Sequence, residues 1–226
     1  MIFSRITLKD NANPAEHIWS DVSTQDYALH QTVWKLFAKS EQKREFLFKI
    51  ERVNGVPVIY AVAQVRPYVP LNSAWYVEAK PYDPVVAKGD QLYFSIRASA
   101  CKKRTEASGK LKKTDIVIAK KRMLLKELPQ DQLPSNQEIT HMAASEWMTR
   151  QGELKGFELV DFQVTRHEWH EFEKNGRSGA NQISFPTLDL DGILRVVSPD
   201  HFKQMLFKGI GAARSFGCGL MLVRRV

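Results

Sequence analysis

The chain has 226 residues, of which 43% are hydrophobic and 26% are charged, and its formal net charge is +8 at pH 7. This length accommodates one large domain or two small ones, of which we favour two, and the composition excludes intrinsic disorder as the default. No apolar run is long enough to span a bilayer, and MIFSRITLKD at the start carries charges where a signal peptide is apolar, so we predict a cytoplasmic protein without a membrane partner.

In the first hundred residues, apolar periodicity predicts a strand, a helix and three further strands. The helix begins with Ser and Thr residues, which can cap it, and brings Leu29, Val33 and Leu36 to one face. Asn54-Gly55 lies between two apolar segments, which is typical of a hairpin with a tight primed turn. The predicted elements are strand 2–8, helix 23–39, hairpin strands 45–52 and 56–64 and, after a proline-rich passage at 67–84, strand 91–100.

The second half of the chain repeats this order of elements without repeating its residues. After a linker-like passage at 128–137, the pattern predicts helix 138–151, strands 157–169 and 181–198, helix 199–207 and strand 220–226. The simplest architecture for this order is an α+β protein of two tandem ferredoxin-like domains. We place the N-terminal domain at 1–100, a basic arm and linker at 101–137, and the C-terminal domain at 138–226.

The positive charge is concentrated in one segment. Residues 101–126 contain ten Lys and Arg against two acidic residues, a net charge of +8, while the rest of the chain holds 23 basic and 23 acidic residues. Because charge gathered in one place attracts a polyanion, this segment is predicted to contact nucleic acid. Its first part, 102–113, is typical of a hairpin-like arm that bends at Ser108-Gly109. The alternative interpretation is a solvated, mobile run of charges.

Patterns that would hold a metal ion are weak. Cys101 and Cys218 lie 117 positions apart, without CxxC or Cys/His spacing, so we predict reduced thiols. His167 and His170 in HEWH are three positions apart, but they lie in an alternating, strand-like pattern and no second ligand pair is evident. We therefore predict neither a metal nor a cofactor.

Four glycines lie in GIGAARSFGCG, between the last predicted helix and the last strand. A dinucleotide-binding fingerprint has the reverse order, with a strand before the glycines and a helix after them, so that interpretation is disfavoured. Two others stay open: a turn that passes close to the sheet edge without a ligand, or a loop whose N–H groups face phosphates, which the nearby Arg214 favours. The glycines are Gly209, Gly211, Gly217 and Gly219.

Five stretches, in order over nearly the whole chain, together resemble a known family. They are YALHQTVWKLF (27–37), REFLFKIE (44–51), LYFSIRAS (92–99), GRSGANQISFPTLDLDG (176–192) and GIGAARSFGCGLMLV (209–223). The chain resembles the CRISPR-associated repeat-processing endoribonucleases of the CasE type, which are Cascade subunits of the RAMP superfamily. The last stretch is similar to the RAMP glycine-rich loop, and the resemblance implies two RAMP/RRM-like domains of the ferredoxin-like fold.

The resemblance implies metal-independent cleavage of precursor CRISPR RNA at the base of the repeat hairpin, leaving a 2′,3′-cyclic phosphate. It also implies that the mature RNA is retained in Cascade, so the expected partners are repeat hairpin RNA and other Cascade subunits. Two alternatives stay open: a non-catalytic RAMP-type subunit that only holds the hairpin, and a general basic binder of RNA or DNA.

The resemblance further assigns a catalytic site. Transesterification needs the 2′-OH deprotonated, the leaving oxygen protonated and the phosphorane stabilised. An imidazole, whose unperturbed pKa is about 6.5, suits proton transfer as base or acid, which points to His30, and Tyr27 lies on the same helical face. Without the resemblance, the two residues would be interpreted as an exposed polar residue and a rim aromatic.

Arg177 matches a basic position of the family, and its planar fork suits phosphate oxygens. The chain departs from the family at Ala180, where a second basic residue is expected, which leaves open whether a lysine of the 101–113 segment takes part. The residues predicted to bind RNA are Lys102, Lys103, Arg104, Lys110, Lys112, Lys113, Lys120, Lys121, Arg122 and Arg214.

Overall fold

The architecture is given by a computed structural model, whose described residues are 1–9, 22–37, 46–71, 73–105, 109, 111–173 and 182–226. Within these ranges only the backbone is described at 22–28, 103–105, 111–112, 172–173 and 182. Two four-stranded antiparallel sheets and a two-stranded hairpin make up the strand content of this part of the chain. Among the described helices, none combines the length and the apolar content that a membrane crossing requires.

The first sheet has the strand order β2-β3-β1-β4, which is the order of a ferredoxin-like unit. Its apolar face packs against the helix α1 through Leu29, Val33 and Leu36, which meet Ile6 and Phe48 of the sheet. These are the positions at which the sequence places an apolar helical stripe. The elements are β1 (Ile2–Leu8), α1 (Val22–Phe37), β2 (Phe46–Val53), β3 (Val56–Ala63) and β4 (Trp75–Pro81).

The hairpin that joins β2 to β3 turns at Asn54 and Gly55, as predicted. Both residues have positive φ, 52° and 81°, which is the backbone of a primed two-residue turn whose twist matches that of the flanking strands. The register runs from Phe46 opposite Ala63 to Val53 opposite Val56.

The second sheet has the strand order β10-β5-β9-β8, which repeats the ferredoxin-like order with β5 as its first strand. Three helices cover its apolar face, and Phe94, Met148, Leu190 and Phe202 are fully buried between the layers. The elements are β5 (Gln91–Ala98), β6 (Cys101–Thr105), β7 (Leu111–Asp115), α2 (Ile116–Glu127), α3 (Asn136–Lys155), β8 (Phe157–Glu173), β9 (Gln182–Val196), α4 (Pro199–Lys208) and β10 (Met221–Arg225), with 3₁₀ turns at Gln130–Gln132 and Arg214–Phe216. The predicted pair of ferredoxin-like domains is confirmed.

The prediction was inaccurate about which strand completes the first sheet. β5, which the boundary at residue 100 assigns to the N-terminal half, pairs with β9 and β10 in the second sheet. The fourth strand of the first sheet is instead β4, within the proline-rich passage at 67–84. It lies at the sheet edge and ends at Pro81, where a missing N–H is tolerated. By sheet membership, the two units therefore divide between 82 and 90.

The segment 101–137 is an insertion within the second unit rather than a linker between two units. It contains the predicted hairpin, β6 paired with β7, and also α2, where the sequence analysis recognised only a cluster of charges. Asp115 starts α2 by accepting hydrogen bonds from the backbone N–H groups of Val117 and Ile118, at 2.5 and 3.0 Å. A capping box of Ser135 and Glu138 starts α3.

The two units are joined through the other face of the first sheet. Leu47 and Val62 pack there against Leu220 of the second unit, with aromatic side chains around them. Beside this cluster, the buried Lys49 of β2 donates hydrogen bonds to Glu51 and to the Ser95 hydroxyl of β5, at 2.9 and 2.5 Å. An apolar cluster and a buried charge therefore fix the orientation of the two sheets.

Candidate active site

His30 lies in a small cavity where the two units meet. The cavity encloses about 20 Å³, and its walls come from α1, β2, β5, β8, β9 and the glycine-rich segment 209–219. The lining residues are His30, Ile50, Arg97, His170, Phe185, Thr187, Phe216 and Gly217. Elements far apart in sequence thus converge on the histidine that the sequence analysis selected.

The His30 side chain is held by aromatic rings from both units. It is 7% exposed, and it packs edge-on against Phe48 of β2 and Phe216 of the glycine-rich segment, with ring centroids 5.5 and 5.6 Å apart. The interpretation as an exposed polar residue of an amphipathic helix is therefore wrong. A buried imidazole at the junction of two units is instead a candidate for chemistry.

The backbone of the glycine-rich segment approaches His30 closely at Gly217, which has no side chain. Gly217 has φ +78°, and a Cβ there would lie 3.0 Å from the Phe48 ring and 3.5 Å from Cε1 of His30. Gly209, Gly211 and Gly219 also have positive φ, and a Cβ at Gly219 would lie 2.4 Å from the Ile210 oxygen. The glycines are therefore needed for close packing.

Several N–H groups of this segment are already bonded within the protein. The N–H groups of Ile210 and Ala212 donate to the main-chain oxygens of Gly219 and Ser99, respectively. The N–H group of Gly219 donates to the main-chain oxygen of Arg97. These bonds favour the interpretation of the loop as a turn that packs at the sheet edge. Arg214 donates to the Lys208 oxygen at the end of α4, at 2.7 Å, and it lines a separate groove with Trp34 and Ser215.

The other two predicted catalytic side chains lie outside the described residues. Tyr27 belongs to α1, one turn before His30, and only its backbone is described. Arg177 and the departure at Ala180 fall in the connection 174–181 between β8 and β9, which is outside the described ranges. The connection starts four residues after His170 and ends four residues before Phe185, both of which line the cavity.

Three polar residues of the cavity, His170, Arg97 and Thr187, were missed by the sequence analysis. His170 was considered only as part of a metal pattern with His167, yet the two rings bond to different elements. Nε2 of His167 lies 3.1 Å from Asp115 Oδ2, whereas Nε2 of His170 lies 2.9 Å from Thr187 Oγ1. A spacing of three on a strand puts side chains on opposite faces, so strand alternation was the signal that separates them.

Arg97 brings a positive charge to the cavity wall. Its guanidinium donates two hydrogen bonds to the Asp189 carboxylate, at 2.7 and 2.8 Å, across the β5–β9 pair. Both side chains are 21% exposed. Paired donors of this kind hold the guanidinium in one orientation. Within the described residues, no group of three His, Cys, Asp or Glu side chains is placed to hold a metal ion.

The predicted RNA-binding residues of the segment 101–126 differ in exposure. Lys102 and Lys113 on the hairpin are exposed, as are Lys121 and Arg122 on α2. In contrast, Lys120 is 7% exposed, and its ammonium group pairs with Glu146 of α3, so it joins two helices. The side chains of Lys103, Arg104, Lys110 and Lys112 lie outside the described residues.

The base of the hairpin is fixed by one carboxylate. Asp115 is 4% exposed, ends β7, caps α2 and bonds His167 of β8. Burial alone would raise the pKa of Asp115, but the hydrogen bonds from His167 and from the backbone of Ile118 and Val117 outweigh it and lower the pKa. A charged Asp115 therefore anchors the basic hairpin to the second sheet.

Two tandem ferredoxin-like units, a cavity with a buried histidine between them and an inserted basic hairpin define the class of this protein: an α+β protein with a candidate site at the junction of its two units. Residues 1–225 match the family described as CRISPR associated protein, and the chain belongs to that family. The predicted resemblance is confirmed by this match together with two relatives of the CasE type.

Two curated relatives match most of the chain. The CRISPR system Cascade subunit CasE of Escherichia coli (strain K12) is 28% identical over 206 residues, which cover 86% of this chain and 89% of the relative. The CRISPR-associated endoribonuclease Cse3 of Thermus thermophilus is 24% identical over 235 residues, which cover 97% of this chain and 94% of the relative. A solved structure of CRISPR endoribonuclease Cse3 bound to 19 nt RNA covers 99% of this chain and 98% of its own, with 21% identity and a TM-score of 0.68, and so shares the fold.

Proposed function

We propose that the protein is an endoribonuclease that cuts precursor CRISPR RNA at the base of the repeat hairpin and retains the mature RNA as a Cascade subunit. The observation that carries the proposal is the burial of His30 between Phe48 and Phe216 at the junction of the two units. The relatives named CasE, a Cascade subunit, and Cse3, an endoribonuclease, support the same activity and partners.

The reaction that we propose is transesterification without a metal ion. The ribose 2′-oxygen attacks the adjacent phosphorus, the bond to the 5′-oxygen breaks, and a 2′,3′-cyclic phosphate and a 5′-hydroxyl result. His30 transfers one of the two protons. Tyr27, one helical turn away, helps to position the reacting groups, and Arg177, which follows β8 in the sequence, stabilises the phosphorane charge.

The RNA hairpin is held by the basic insertion. The exposed cations of β6, β7 and α2 contact phosphates, because an A-form helix has a deep, narrow major groove that side chains read poorly. Lys102, Lys113, Lys121 and Arg122 are exposed, and we leave Lys120 out of this surface because it is buried against Glu146. The link between Asp115 and His167 holds the insertion against β8, the strand that leads to the cavity.

The test is incubation of the protein with a repeat hairpin RNA in EDTA. We expect a single cut at the base of the hairpin and a cyclic phosphate end. An RNA with a 2′-deoxy nucleotide immediately before the cut is expected to bind with nearly unchanged affinity and to remain intact. Cutting of the deoxy substrate would overturn the transesterification mechanism, and binding of the natural RNA without any cut would instead assign the protein as a non-catalytic hairpin-binding subunit.

The His30→Ala variant tests the residue that carries the proposal. We expect its cleavage rate to fall by several orders of magnitude while its affinity for the hairpin stays near that of the wild type. A random-sequence RNA of equal length is the control for specificity, since a general basic binder would hold both RNAs equally and lose both with salt. A variant that cuts at the wild-type rate would remove His30 from the mechanism.

A further inference from the structure

A second histidine shares the cavity with His30. His170 of β8 lines the same space, together with the polar side chains of Arg97 and Thr187. The cavity encloses about 20 Å³, which is room for about one water molecule. The cavity is therefore too small to enclose an RNA phosphate, and two imidazoles from different units line it.

The His170 ring is fixed in position by two contacts. Its Nε2 lies 2.9 Å from the Thr187 hydroxyl, and its ring stacks on Phe185 with centroids 5.5 Å apart and an interplanar angle of 27°. Thr187 is 2% exposed, so its hydroxyl holds the Nε2 edge of the His170 ring in a buried position. The hydrogen bond and the ring contact together hold the imidazole in one orientation at the cavity.

One continuous set of rings connects the two histidines. Phe185 stacks on His170, and the ring centroids of Phe185 and Phe216 are 5.1 Å apart. Phe216 in turn packs edge-on against His30, with ring centroids 5.6 Å apart. His30 comes from the first unit and His170 from the second. The relative position of the two imidazoles is therefore set by the packing of the two units. Neither α1, which carries His30, nor β8, which carries His170, fixes it alone.

We propose that His30 and His170 divide the two proton transfers of RNA cleavage. The proposal rests on the function proposed above and adds to it, because one imidazole accounts for only one transfer. One ring accepts the proton of the 2′-OH as the bond from the 2′-oxygen to phosphorus forms. The other, as imidazolium, gives its proton to the 5′-oxygen as the bond from phosphorus to that oxygen breaks. Proton exchange with water then restores both rings.

The pH profile of metal-free, single-turnover cleavage tests the proposal. Because one ring must be neutral and the other charged, the wild type is expected to give a bell-shaped profile. His170→Gln is expected to lower the rate by about 10²- to 10⁴-fold, to lose one limb of the profile and to keep its RNA affinity. The matched control is His201→Gln, whose ring also bonds a hydroxyl, that of Ser198 at 2.9 Å, but lies on α4 outside the cavity; its rate is expected to be unchanged.

A substrate with sulfur in place of the leaving 5′-oxygen separates the two roles, because a thiolate leaves without being protonated. We expect this substrate to restore the rate of either His170→Gln or His30→Gln, whichever variant lacks the acid, and not of the other. Equal behaviour of the two variants on this substrate, or a His170→Gln variant with the wild-type rate and both limbs, would overturn the proposal. A wild type that binds the hairpin without cutting it would overturn the proposed function instead.

The Thr187→Val variant gives an independent test if His170→Gln does not fold. It keeps the shape of the side chain and removes the hydroxyl that bonds His170. We expect a displaced limb in the pH profile with unchanged RNA affinity. A profile that superimposes on that of the wild type would show that the ring of His170 takes no part in proton transfer.

Discussion

The indole Nε1 of Trp34 donates a hydrogen bond to the main-chain oxygen of Ser215 at 3.3 Å, although 181 positions separate the two residues in the chain. Trp34 lies one helical turn after His30, and Ser215 precedes Phe216, whose ring packs on His30. The bond therefore ties the helix that carries the candidate catalytic histidine to the glycine-rich segment of the other unit. Because both elements line the cavity, the bond helps to fix the geometry around His30.

The Trp34→Phe variant tests the importance of this link. Loss of the hydrogen bond is expected to lower the free energy of unfolding by about 0.5 to 1.5 kcal/mol, because the aromatic contact with Phe46 is largely kept. We expect the cleavage rate to fall and the RNA affinity to stay the same. Urea unfolding and single-turnover cleavage measure the two effects, with Trp169→Phe, at a half-exposed position of β8, as the control. An unchanged cleavage rate would show that the link serves stability alone.

Gly217 offers a second test of how the glycine-rich segment packs beside His30. A methyl group added at this position has two separate consequences. Alanine at φ +78° costs about 1 to 2 kcal/mol in the backbone, and its Cβ would also lie 3.0 Å from the Phe48 ring beside His30. We expect Gly217→Ala to lose both stability and cleavage. Gly55→Ala is the matched control, since Gly55 has φ +81° with nothing within 4 Å of the added Cβ.

The two glycine variants are compared by thermal unfolding and by cleavage at a temperature where both are folded. The expected result is a similar loss of stability from the backbone and a loss of cleavage for Gly217→Ala only. If both variants cut at the wild-type rate, the position of Phe48 relative to His30 would be irrelevant to the reaction.

The anchor of the basic hairpin predicts a pH dependence of stability. The pKa of Asp115 is lowered in the folded protein, relative to about 3.9 in an unfolded chain. Its contribution is therefore fully present above the unfolded pKa and is lost as the pH falls through the folded pKa. Asp115→Asn removes this ionisation while keeping an oxygen that can accept the bonds of the helix cap.

Urea unfolding at a series of acidic pH values measures the effect. We expect the difference in free energy of unfolding between the wild type and Asp115→Asn to be constant at neutral pH and to shrink as the pH falls below about 4. The control is Asp131→Asn, in an exposed 3₁₀ turn. A difference that grows toward acidic pH would contradict the lowered pKa.

Local signals in the sequence predicted much of the fold. Asn54-Gly55 marked a primed turn, the spacing of Leu29, Val33 and Leu36 marked the buried face of α1, and the helix predicted from residue 199 begins there as α4, all as the structure has them. Each of these signals depends on residues within a few positions of one another. Sheet membership does not, so β5 was assigned to the wrong unit: its own apolar alternation fits either sheet, and only pairing with β9, almost a hundred residues later, decides between them.

The site shows the same division between local and long-range information. The early Tyr and His pattern, together with the family resemblance, was enough to select His30, which lies in the cavity. Its burial was not predictable, because the rings that cover it come from β2 and from the glycine-rich segment. Likewise, His170 and Arg97 enter the cavity from strands of the other unit, and Lys120 differs from its neighbours only because α2 turns it toward Glu146.

Three consecutive cations of α2 give the sharpest test of the RNA surface. Lys121 and Arg122 are exposed, whereas Lys120 is buried and paired with Glu146. Substituting the exposed pair or the buried lysine therefore distinguishes direct contact with phosphates from an effect of net charge. We expect the double variant Lys121→Ala, Arg122→Ala to weaken hairpin binding and to reduce the slope of log affinity against log salt by about one per lost contact. Lys120→Met keeps the apolar stem in its buried position and is expected to leave that slope unchanged. Affinity measured over a series of salt concentrations gives both slopes, and a reduced slope for Lys120→Met would mean that α2 presents a different face to the RNA.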